Sequence, residues 1–368
     1  MEMGAPPEAL QTDVPERTPP RRGWRLDALP TFIRSLAGAL ATAAVLALVV
    51  ALVDAAGSPP VKQAALNGVT YMVIAIGLQT FMGLSGVVSF GHIGFVAIGA
   101  YVAALCTTPP DLKPTVIPRA PEFVHEVSLP FVPGTLVAVG VTALVALIVG
   151  VVFVRMSPAA APLATLGFLL VVSVVGTNLT SITNGAQSFF GIPESTTLWS
   201  GLGFATVVLV VSRLFRDSAW GLALRASRND ELAARASGVL VERARLLAWV
   251  LSAGIAAVGG SLYAHSLGAI APSVFLFGLT FVVLTIVVVG GQSTSAAVVG
   301  AVVMTVVTEG IRQLTGDASA GGRDLAVLTT IVPGVLVLLV LIKRPQGLLG
   351  RWEAEEVVAR AFHGRKQR

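Results

Sequence analysis

The chain has 368 residues, 54% hydrophobic and only 12% charged, with a formal net charge of +5, a pI near 9.9 and a mean hydropathy of +0.82. A soluble domain carries roughly a quarter charged residues, so this composition excludes an ordinary water-soluble fold. The single cysteine, Cys106, excludes an internal disulfide and any cysteine-cluster metal site; no cofactor and no metal are expected.

Residues 1–31 are rich in proline and arginine (Pro6, Pro7, Pro15, Arg17, Pro19, Pro20, Arg21, Arg22, Arg25) and read as a disordered tail. Ser35 to Val53 is then nineteen residues without a charge, close to the ~20 a helix needs to cross a bilayer. The long polar leader and the length of this run set it apart from a cleavable signal peptide. Comparable runs, broken by Pro, Gly and charge clusters, place ten candidate helices centred near 44, 73, 97, 144, 168, 207, 255, 283, 303 and 334. The expected fold class is an all-α polytopic membrane protein of about ten transmembrane helices. Its membrane domain would cover 32–345, with a short tail over 346–368.

The second and third spans meet in "GLSGVVSFGHIG", residues 83–94. Gly91, Gly94 and Gly99 make the third span the one most open to a break or a re-entrant course. If the stretch is helical, Ser85, Ser89 and His92 recur at i, i+4 and i+7 and share one face, which is costly toward lipid. That face belongs to a helix–helix contact or to an aqueous path, and the glycines suit close helix packing. An enzyme reading takes Ser85 as the nucleophile of an intramembrane protease. It needs a base within hydrogen-bond reach, and His92 lies roughly 10 Å further along a regular helix. No catalytic residue is expected.

Basic residues orient the spans. Five precede or begin the first span, one (Arg155) follows the fourth, seven lie in the loop after the sixth, and seven follow the last; the alternate loops hold only five. Both termini are therefore expected in the cytoplasm. The loop at 107–132 reads as a structured surface loop on the opposite side, and "TNGAQSFFGIPEST" on that side holds no basic residue. A basic pI in such a chain reflects topology; no nucleic-acid partner is expected, and membrane lipid is.

The loop 216–245 contains "RNDELAARASG". Asn229 or Asp230 can cap a short helix there, and Asp230 and Glu231 complement its dipole. Ala233 and Ala234 give it a smooth face, Arg235 follows, and Gly238 suits the C-terminal cap. Such an element is shaped to fit a groove on another protein, or it is a solvated connector. "ELAARASG" resembles the EAA-type loop of ABC importer permeases, the helix that docks on the ATPase, with Leu232 where that loop usually has its glutamate. Six segments resemble the permeases of branched-chain amino-acid importers (LivM type): "GLSGVVSFGHIGFVAIGAYVAAL", "NGAQSFFGIP", "GLALRASRNDELAARASGV", "LSAGIAAVGGSLYAH", "VVVGGQST" and "RPQGLLG". They occur in order over about 60–350.

The resemblance implies two inverted repeats, here spans 2–5 and 7–10. It also implies a second permease subunit, cytoplasmic ABC ATPase subunits and an extracytoplasmic solute-binding protein, in the plasma (inner) membrane. Related permeases carry urea or short amides, so the substrate stays open among these. Glu309, an acid in the ninth span, pairs with Arg312 one turn on or belongs to a substrate path. It alone would support an ion-driven secondary transporter. The chain lacks a G-x-x-x-x-G-K-[ST] phosphate loop, so an ATPase would be a separate chain.

Overall fold

The computed structural model describes residues 31–157 and 159–318, with short pieces between 334 and 350. Its described helices are α1 (Thr31–Ala56), α2 (Pro59–Ser85), α3 (His92–Thr107), α4 (Lys113–Val116), α5 (Glu122–Glu126), α6 (Phe131–Phe153), α7 (Ala161–Asn178), α8 (Thr180–Thr183), α9 (Leu198–Asp217), α10 (Ala219–Asn229), α11 (Glu231–Ala236), α12 (Val241–Leu267), α13 (Phe277–Gly290) and α14 (Thr294–Ala318). A short antiparallel ladder pairs β1 (Phe189–Phe190) with β2 (Ala269–Ile270), Phe189 opposite Ile270. Among the described residues eight helices are long and apolar enough to cross a membrane, and α3 is a shorter apolar helix. Nine of the ten expected spans are thus present as helices; the tenth, centred near 334, lies largely outside the described residues.

Local chemistry sets the ends. Pro59 and Pro60 start α2 where no amide partner is needed. Thr197 and Ser200 form a reciprocal capping box at α9. Both α2 and α12 close on a left-handed glycine, Gly86 at φ 72° and Gly268 at φ 68°.

The core is built on α2 and α12. In the most apolar stretch of α2, 83% of residues are buried, against 22% in α6 and in α7, so α2 is an interior helix while α6 and α7 turn most of their surface outward. The two central helices run antiparallel: a Cβ at Gly77 would meet Ala256, one at Gly259 would meet Ile74, and Tyr71 stacks on Tyr263. Each is 27 residues long, and each is followed by an irregular stretch and a short helix, α3 of 16 residues or α13 of 14. α12 packs on α3 and α6, α2 packs on α13 and α14, and α3–α6 and α13–α14 pack together. Exchanging α2 with α12, α3 with α13 and α6 with α14 preserves these contacts, as an inverted repeat requires.

The third span is an unbroken helix. The break comes before it, at residues 86–91, because Gly86 ends α2 in a left-handed turn. No single helix carries Ser85, Ser89 and His92. In the 107–132 loop, the buried Lys113 opens α4 and ties it to α5, donating to the carbonyls of Val124 (2.9 Å) and Val127. Burial lowers its pKa.

Candidate coupling and translocation site

The end of the bundle that holds α10 and α11 will be called the loop end, and the end that holds the β1–β2 ladder the ladder end. At the loop end the expected helix over 229–238 is shorter: α11 covers Glu231–Ala236. Asp230 is its cap, its carboxylate accepting from the Ala233 amide at 2.9 Å, while Asn229 is the last residue of α10. Gly238 takes φ +83°, as a helix-terminating glycine does.

Ionic contacts fix α11 to the bundle. Glu231 accepts from Arg235 (2.8 Å) and from Arg245 of α12 (3.0 Å), and Arg235 also reaches Glu242 at 2.7 Å. These contacts, the hydrogen bond from Arg235 first, hold the Glu231 carboxyl below the usual carboxylate range. Arg245, almost wholly buried, also donates to the Val154 carbonyl beyond α6 at 3.2 Å. Ala234 is buried and faces the protein, whereas Leu232 is 81% exposed. Ala233, Arg235 and Ala236 are exposed too. The outward face is therefore an unusually bare leucine on a small-residue helix.

One residue that sequence reasoning passed over joins this loop to the core. Arg228, in the last turn of α10, donates to the Gly83 carbonyl (2.6 Å) and to Gln292 Oε1 (2.8 Å). Gly83 lies in the last turn of α2, where carbonyls lack helical partners and a cation is favoured. The Arg228 stem also lies against Gly86, where a Cβ would stand 2.8 Å from Cγ. Gln292 belongs to the α13–α14 link, which the C-terminal piece clamps: Gln292 N donates to Gly350 O (2.8 Å), Leu348 N to Val289 O (2.9 Å) and Leu349 N to Gly290 O (3.0 Å). Thus "VVVGGQST" and "RPQGLLG", far apart in sequence, meet. The signal for Arg228 was only its place inside a motif already noted.

The residues of "GLSGVVSFGHIG" part company. Ser85 Oγ donates to its own helix at Phe81 O (2.7 Å) and accepts from the Val87 amide (3.2 Å). His92 instead joins Ser89 Oγ through Nδ1 and Ser252 Oγ of α12 through Nε2, both at 2.7 Å. Its ring is boxed by Phe81, Phe95 and Trp249, with centroids 5.6, 5.9 and 5.0 Å away. At the ladder end of the same helix pair, His265 Nε2 meets Thr107 Oγ1 at 2.8 Å. Between these junctions a Cβ at Gly99 would overlap Ala257, and one at Gly260 would overlap Val96. A Cβ at Gly91 would overlap the Thr165 carbonyl of α7, and one at Gly94 would stand 3.0 Å from Phe168. The histidines and glycines therefore fasten helices together.

Glu309 meets Arg312, one turn on. Arg312 Nε and Nη2 reach its two carboxylate oxygens at 2.8 and 2.6 Å, and Gln313 adds a bond at 2.9 Å. The pair stands on the wall of a cavity of about 480 Å³ between α2, α13 and α14, shared with Gln63, Asn67 and Tyr71. Among the described residues no cluster of His, Cys, Asp and Glu has the arrangement of a metal site.

Residues 61–341 match the family described as the permease component of branched-chain amino acid transport systems. The chain belongs to this family. It is 31% identical over 316 residues to the high-affinity branched-chain amino acid transport permease LivM of Salmonella typhimurium, covering 76% of this chain and 67% of that protein. The Escherichia coli LivM is 30% identical over the same coverage. It is also similar to Salmonella typhimurium LivH, 27% identical over 79% of this chain and 94% of that one. No solved structure matches. The apolar helices and this membership together make the chain a multi-pass membrane permease.

Proposed function

We propose that this permease is the membrane-spanning subunit of an ATP-driven importer of branched-chain amino acids, working with a second permease subunit, cytoplasmic ABC ATPases and an extracytoplasmic solute-binding protein. On this reading the chain acts as a conduit and not as a catalyst: Ser85 bonds within its own helix end and not to His92, and the two serines that meet His92, Ser89 and Ser252, are buried. The loop end faces the cytoplasm, because the loop after α9 and both tails carry most of the basic residues.

The observation that carries the reading is α11. Its inner side is tied to α12 and α6 through Glu231 and Arg245, while its outer side presents Leu232 with nothing covering it. A small helix with one projecting apolar side chain fits a groove on an ATPase. Force applied there passes through Arg228 to α2 and to the α13–α14 link. The substrate path then runs beside α2, along the wall that holds Glu309.

Leu232→Asp tests this. The variant should insert normally, yet lose ATPase co-purification and lower uptake of labelled leucine by tenfold or more in proteoliposomes holding the whole complex. Unchanged association with the ATPase would return α11 to a solvated connector.

A further inference from the structure

At the loop end, the last turns of α2, α9 and α10 and the start of α14 surround a cavity of about 160 Å³, open on one side. Among the described residues that line it, Leu84 is the only one with an apolar side chain and none is acidic. Three guanidiniums, those of Arg216, Arg225 and Arg228, stand in the wall. Asp217 lies 3.6 Å from Arg216 and 3.7 Å from Arg225, so it offsets one of these charges from outside the lining. Arg228 is spent on its bridge to Gly83 and Gln292 and contributes field more than bonds. Arg216 and Arg225 keep 17% and 36% of their side chains exposed, so both have surface to offer a ligand. The same wall holds Ser293 and Thr294, where the 25-residue α14 begins. A helix start carries about half a positive charge and adds to the attraction for an anion.

We infer that this cavity binds a phosphate group, with Arg216 and Arg225 donating to its oxygens. The donor set selects phosphate over carboxylate. One guanidinium fork matches a carboxylate, whereas a phosphate has oxygens for two and charge left for the helix start. Such a group comes from an anionic lipid of the cytoplasmic leaflet or from free phosphate in the cytoplasm. Position suits it: Gly83 and Leu84 lie in the last turn of α2 and Arg216 in that of α9, so the cavity sits where spans end. Basic pockets between spans on the cytoplasmic side take anionic headgroups. The inference rests on the reading of the loop end as cytoplasmic and on no particular substrate. A phosphate held there ties α10 to α9 beside the Arg228 bridge and braces the coupling loop.

The test uses the assembled complex in nanodiscs of phosphatidylcholine, with or without phosphatidylglycerol, and inorganic phosphate as a second probe. Native mass spectrometry should find phosphatidylglycerol retained on the permease in preference to phosphatidylcholine. The double variant Arg216→Gln, Arg225→Gln should retain it about tenfold less, because both lost contacts are charge-assisted. Arg225→Lys, which keeps the charge but not the fork, should fall between. In the parent protein, rising salt should release phosphatidylglycerol and leave phosphatidylcholine in place, a readout that needs no variant to fold. If inorganic phosphate instead raises the thermal midpoint of the parent and not of the double variant, with no preference among lipids, the bound group is free phosphate. A response to neither probe, retention that salt leaves unchanged, or an equal response in the double variant overturns the inference. Arginine-dependent binding in a complex that imports no leucine would sustain the site and sink the importer reading.

Discussion

Along the seam between α3 and α12 the backbones touch because side chains are missing, whereas around α10 and α11 the chain is joined by the longest side chains it has. At the seam, Gly99 lies on Ala257 and Gly260 on Val96, with a buried histidine–hydroxyl bond at each end. At the loop end, Arg228, Arg235 and Arg245 reach out to carbonyls, carboxylates and an amide. Close packing is stiff and intolerant of added volume, while part-exposed ionic bonds are individually weak and can be exchanged. The seam is thus suited to move as one body and the loop to move it.

The largest effect should follow from breaking the seam. A side chain at Gly260 would strike the Val96 carbonyl and the Ala100 amide, which are backbone and cannot rotate aside. Overpacking where only side chains must yield costs about 1–3 kcal/mol, and here a helix must shift. Gly260→Leu should leave no correctly assembled permease, read as loss of the monodisperse peak after detergent extraction. Normal assembly of that variant would mean that the helices are not in close contact there.

A smaller and different loss is expected at the loop end. Arg228→Ala removes two charge-assisted hydrogen bonds without opening a packed interior. The complex should assemble and hydrolyse ATP, but leucine transported per ATP should fall roughly tenfold, the scale of one hydrogen bond to a charged group. Arg228→Lys, whose compact ammonium lacks the planar fork that sets two nitrogens on two separate acceptors, should recover only part of it. A full coupling ratio in Arg228→Ala would remove this residue from the transmission route.

The contrast also explains what the sequence made legible. The spans follow from apolar length alone, and the glycines of "GLSGVVSFGHIG" and "AGIAAVGG" announce close approach because little else justifies them inside a membrane. The cap at Asp230 and the turn at Gly238 are local chemistry and were readable, with α11 four residues shorter than the expected 229–238. What was not readable depends on contacts between distant segments. Nothing near Arg228 in sequence says that it reaches Gly83 and Gln292, and nothing near "RPQGLLG" says that it pairs with "VVVGGQST". A continuous helix would have put Ser85 and His92 on one face, but a single left-handed residue, Gly86, was enough to turn the chain and separate them.

That separation yields the smallest predicted effect. The Ser85 hydroxyl bonds inside its own helix end, to Phe81 O, and receives the Val87 amide. Ser85→Ala leaves one buried amide without its acceptor, a cost of about 1 kcal/mol, and touches neither the seam nor the Arg228 bridge. Uptake should stay within about twofold of the parent, with thermal stability slightly lower. A serine nucleophile behaves otherwise, since its removal costs activity by several orders of magnitude. An assembled Ser85→Ala complex that imported nothing would therefore place chemistry at the end of α2, where the hydrogen bonds of the structure put only a helix terminus.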